Sequence, residues 1–124
     1  MQNASKDKMS GRRRCYVPLL YAVRRNEQVA LRLLDNKTWR EMSAGYLTLA
    51  QEAVMWWRSA AVKAARSPEI AELSGSRGSV AHIIACRWPE IAESEMTDRL
   101  LSLKDKQGIT VRQTLMIKLN ARKG

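Results

Sequence analysis

Residues 66–73 read RSPEIAEL and residues 87–94 read RWPEIAES, nearly one phrase written twice at a distance of 21 residues. Internal repetition constrains a fold more than composition does, because a repeating chain builds like units and buries each against the next. A second spacing runs beside the first. Val17, Thr48, Ser79 and Thr110 stand 31 residues apart and open the heptapeptides VPLLYAV, TLAQEAV, SVAHIIA and TVRQTLM. A small or β-branched residue begins each, and apolar residues follow mainly at steps of two to four. The two spacings cannot both be the period, and the residues alone leave the choice open. Either one predicts short helices stacked in pairs, an architecture that more often holds partners than does chemistry.

The rest of the chain is consistent with an all-α fold. A length of 124 residues predicts one domain. With 45% hydrophobic residues a sizeable core can form, although Phe is absent and four Trp supply much of the large apolar volume. Ala is abundant between positions 50 and 92, where it favours helix and close helix packing. The pattern predicts a flexible basic tail over 1–15 and a single helical-repeat domain over 16–124. Within that domain VPLLYAV and RRNEQVALRLL read as two helices. Thr38 with Glu41 has capping-box spacing for a helix restarting at Trp39. Residues 43–66 contain no proline and read as one long helix or two with a soft bend. Ser67-Pro68 and Pro89 open short helices, SGSRG at 74–78 is the clearest break, Ser79 and Thr110 are N-caps, and residues 97–104 add a further turn or two.

Charge sits at the ends. Residues 1–14 hold Lys6, Lys8, Arg12, Arg13 and Arg14 against Asp7. Residues 106–124 hold Lys106, Arg112, Lys118, Arg122 and Lys123 with no acid, so the formal +10 belongs almost wholly to the two termini. Should tail and last helix converge, Arg12, Arg13, Arg14, Arg112, Lys118, Arg122 and Lys123 would offer a site for phosphate or an acidic partner. No stretch approaches the roughly 20 apolar residues of a membrane span, and the amino terminus lacks the apolar run of a signal peptide. The expected setting is therefore cytoplasmic, away from membranes. Cys15 and Cys86 are 71 residues apart and fit no metal spacing. One histidine, His82, builds neither a metal site nor an acid–base pair, and no phosphate-binding Gly-rich loop is present. No metal, cofactor or catalytic residue is expected.

The tryptophans are the other outliers. Trp56 and Trp57 are adjacent and on a helix point about 100° apart, so one faces inward and the other a unit interface or solvent. Trp39 and Trp88 each begin an element. All four can serve as core, yet Trp56 or Trp57, with Met55 or Arg58, also suits an exposed anchor, since Trp and Arg are enriched where partners bind. Trp56, Trp57, Arg58 and Trp88 are thus the candidate partner-binding residues.

The segment 17–36 resembles the opening of an ankyrin repeat, with Pro18, Leu19, Ala22, Leu33 and Leu34 on matching positions. Ser79-Val80-Ala81-His82 and DKQGITV at 105–111 look like degenerate copies, with Gly108 at the turn glycine. Val17 stands where the motif has threonine, and Leu20 and Gln113 where it has histidine. The resemblance implies stacked helix pairs that bind other proteins, and a structural His82 bonded to neighbouring backbone. The expected function is a non-enzymatic protein-binding module, an adaptor, regulator or inhibitor of the kind a phage or plasmid encodes. The alternative is nucleic-acid binding by the basic ends, and pairing with a second copy through the terminal helices is a third arrangement.

Overall fold

The computed structural model describes residues 16–43 and 47–123, the side chains of residues 122 and 123 excepted. The expected basic tail with Arg12, Arg13 and Arg14 lies outside the described residues, as do Cys15 and the side chains of Arg122 and Lys123. The fold is all-α, as the sequence predicts, apart from one two-stranded hairpin. In chain order it comprises α1 (16–25), α2 (Glu27–Leu33), a 3-10 turn (Trp39–Glu41), α3 (Leu49–Trp56), α4 (Arg58–Ala65) and α5 (Pro68–Ala71). The hairpin β1 (Ser74–Gly75) and β2 (Gly78–Ser79) follows, then α6 (Val80–Arg87), α7 (Pro89–Glu95), α8 (Asp98–Leu101) and α9 (Val111–Lys123). The helices form two rows. One holds α3, α6 and α9 side by side; the other holds α2, α4 and α7.

The 31-residue spacing is written into the hydrogen bonds. At the start of α3, Gln51 N donates to Thr48 Oγ1 (3.2 Å) while Thr48 N donates to Gln51 Oε1 (2.9 Å). The same reciprocal cap recurs at Ser79 and His82 for α6, and at Thr110 and Gln113 for α9. Each box satisfies helix-end N–H groups that would otherwise lack a partner. The first residue of each of these helices also donates backward across the preceding loop: Leu49 N to Met42 O, Val80 N to Leu73 O, and Val111 N to Leu103 O.

The same groups tie one unit to the next. Gln51 Nε2 donates to Gly78 O at 3.1 Å, and His82 Nε2 lies 2.9 Å from Ile109 O. Because Nδ1 of His82 accepts from Ser79 N, Nε2 carries the proton and donates. Tyr16 Oη donates to Leu47 O at 2.8 Å, so a side chain one turn earlier than Leu20 reaches the corresponding carbonyl. On the other row, Trp57 Nε1 donates to Val23 O (2.6 Å) and Trp88 Nε1 to Val54 O (2.8 Å). Donors and acceptors alike are 31 residues apart.

The 21-residue echo has no such counterpart. Pro68 opens α5, a four-residue element ahead of the hairpin, whereas Pro89 opens α7 in the second row. The two phrases occupy different places in their units. Other expectations are corrected by geometry. Thr38 makes no capping bond; Asn36 Oδ1 instead accepts from the N–H of Thr38 and Trp39, and only a three-residue 3-10 turn forms. Ser67 stands at an N-cap without a side-chain bond. Of the two readings of the stretch before Ser67 the two-helix one holds, with α3 and α4 parted at Trp57, whose extended backbone (φ −126°, ψ 120°) aims the indole at Val23 O.

Packing is close because the residues between the rows are small. Ala60, Ala61 and Ala64 of α4, Ala50 and Ala53 of α3, and Ala81 and Ala85 of α6 are fully buried. Leu34, Leu49, Val54, Ile84, Ile91 and Leu100 fill the larger spaces without any Phe. One glycine is fixed by close approach: a Cβ on Gly75 would fall on the Gln51 carboxamide that reaches Gly78 O.

Candidate partner-binding hollow

Two surface positions recur at 31-residue spacing on α1, α3, α6 and α9 and are exposed or half-exposed on each. One carries Arg24, Met55, Cys86 and Ile117; the next carries Arg25, Trp56, Arg87 and Lys118. Of these, Arg24, Met55, Trp56, Cys86 and Arg87 border an open hollow beside the tip of the hairpin. Its larger part, about 580 Å³, is lined by Val17, Leu20, Arg24, Met55, Trp56 and Arg77 among others. A second part of about 350 Å³ adjoins it, shares Met55 and Arg77, and continues past Ile83, Cys86 and Arg87. The hairpin register sets Arg77 beside the opening. Ser74 pairs with Ser79 and Gly75 with Gly78, which leaves Ser76 and Arg77 as the turn, and Gly78 completes it at φ +102°.

Arginine and aromatic rings alternate here. The Arg24 guanidinium lies 5.0 Å from the Trp56 ring centre and donates to Glu52 Oε1 at 3.0 Å. Glu52 is 4% exposed, so Arg24 supplies the cation that a buried carboxylate needs. Arg25 lies over Tyr21 (5.3 Å) and Arg87 over Trp88 (4.0 Å). Arg77 has neither an ion pair nor a hydrogen-bonded partner for its side chain among the described residues. Trp56 is 49% exposed, a large apolar surface left facing solvent at the edge of the hollow. Asp105, which lines the second part, uses Oδ1 to accept from the N–H of Gln107 and Ile109.

The sequence-predicted residues divide. Trp56 borders the hollow; Trp57 and Trp88 are half-buried and hold their indole N–H groups on the carbonyls of the preceding unit. Arg58 is exposed at the first residue of α4 and is not part of the hollow's lining. Arg112 meets Asp98 at 3.1 Å, and Lys118 is exposed. Six residues apart on one helix, these two cations point about 120° from each other and share no face. His82 is 4% exposed with both ring nitrogens bonded, and Gln51 and Gln113 form the same caps without an imidazole. Among the described residues no group of three His, Cys, Asp or Glu is placed to hold a metal, and no helix is long and apolar enough to cross a membrane.

Comparison with protein-family models, with curated proteins and with solved structures gave no match. Arg24, Arg77, Arg87 and Cys86 escaped the sequence reading because each is unremarkable alone. Reading down the columns at 31-residue spacing picks out all of them except Arg77, whose position depends on the hairpin.

Proposed function

We propose that this chain is a non-catalytic binding module that acts by occupying a partner protein, as an adaptor, regulator or inhibitor does. The observation that carries the reading is the exposed Trp56 beside Arg24, Met55 and Arg77, the last without a side-chain partner among the described residues, at an open hollow. Large aromatic and guanidinium groups concentrate binding energy where partners dock. The order helix, helix, hairpin and the 31-residue recurrence of caps and cross-unit bonds support the ankyrin-like reading of the chain.

Capture from a nuclease-treated lysate of the source cell tests the proposal. Immobilised wild-type chain retains a stoichiometric protein partner, and Trp56→Ala weakens that retention at least tenfold. Trp56 is a surface residue whose ring contact with Arg24 is worth about 0.5–1 kcal/mol, so circular dichroism of the variant stays native. Retention of nucleic acid alone, lost on nuclease treatment, supports phosphate-backbone binding instead and defeats the proposal.

A further inference from the structure

We infer that the hollow takes an acidic, amphipathic segment of the partner, with apolar side chains against the floor and carboxylates against the guanidinium rim; this rests on the protein-binding reading above. Charge complementarity decides the chemistry. Arg77 is unpaired, and Arg87 meets only an aromatic ring among the described residues. Both acids of the hollow are already engaged, Glu52 by Arg24 and Asp105 by backbone N–H groups. A basic segment meets three guanidinium groups and finds only Oδ2 of Asp105 to bond; an acidic one finds bidentate donors that match carboxylate geometry. The floor, formed by Leu20, Met55, Ile83 and Cys86, is apolar and calls for aliphatic or aromatic anchors rather than an evenly charged polymer. Single-stranded nucleic acid fits less well, because Trp56 and Trp88 each already carry an arginine over a ring face that a base would stack on.

The test is selection of a random peptide library displayed on phage against the full chain, with the enriched peptides then synthesised and titrated. Enriched peptides carry net negative charge interleaved with Leu, Phe or Trp. Their Kd rises with sodium chloride and rises at least tenfold on Arg77→Glu, a change that removes no side-chain hydrogen bond or ion pair among the described residues. Oligo-dT at the same ionic strength fails to displace them. The inference is overturned by enrichment of basic or uncharged peptides, by failure to enrich any, by an unchanged Kd in Arg77→Glu, or by displacement with oligo-dT. A protein partner captured from lysate together with any of these results removes the acidic segment and leaves the binding module standing.

Discussion

Gln51 and His82 are different side chains performing one task. Each closes a capping box with an N-terminal hydroxyl residue, and each donates to a carbonyl of the following unit, Gly78 O or Ile109 O. The geometry, not the imidazole, is what the position requires. His82→Gln is therefore expected to change unfolding free energy by no more than about 0.5 kcal/mol, the range of uneventful substitutions. His82→Leu leaves Ser79 N without its partner, while Ile109 O keeps only the Asp105 N–H, and costs about 1–3 kcal/mol. Urea unfolding of the two variants separates these outcomes, and equal losses would contradict the shared task. The caps at Ser79 and Thr110 were legible because each hydroxyl residue follows a loop and precedes an apolar run, whereas Thr48 lies in a stretch with no proline to mark a helix start. The cross-unit role of Trp57 and Trp88 was not, since an indole's partner is a backbone carbonyl that no sequence pattern marks.

At the scale of elements, the same position has opposite meanings along the stack. Val23, Val54 and Ala85 are fully buried, whereas Met116, at the corresponding place in α9, is 51% exposed. No further helix of the described residues covers it. Met116→Glu should alter stability by no more than about 0.5 kcal/mol, while Val54→Glu, which buries an unpaired carboxylate, should cost more than about 3 kcal/mol. Thermal melts of both variants check the pair. The position of the break between α3 and α4 was not legible for a related reason: it has no proline and serves a tertiary bond. Pro89 marked the equivalent break after α6, and that helix start was legible.

Ion pairs clamp units together at their outer ends, with Arg40 on Glu69 (2.8 Å) and Arg66 on Glu95 (2.9 Å). Hydrogen bonding to Arg40, reinforced by the Arg40 and Lys37 charges, holds the Glu69 carboxyl below its ordinary value; the bond to Arg66 does the same for Glu95. A carboxyl depressed in the folded state stabilises above its unfolded value and loses that contribution as pH falls through the folded one. Melting temperature should thus hold between pH 8 and 5 and fall below the ordinary carboxylate value of 4.5. In Glu69→Gln with Glu95→Gln the acid limb should be shallower. An identical acid limb would show that these clamps do not couple to folding.

For the whole molecule, the two-row stack explains why function is not written in a motif. The strongest motifs, the Pro-opened echoes and the capped helix starts, build scaffold. The hollow is assembled from residues 31 positions apart plus a hairpin turn, so its chemistry emerges only when the units are laid side by side. Cys86 offers a direct probe of the central claim, being exposed and part of the lining of the hollow. In a Cys15→Ser background, the alkylation rate of Cys86 is measured for the free chain and for the complex captured from lysate. Occupation of the hollow predicts fast modification of the free chain and at least tenfold slower modification in the complex. Equal rates in the two would contradict it, placing the partner elsewhere on the molecule.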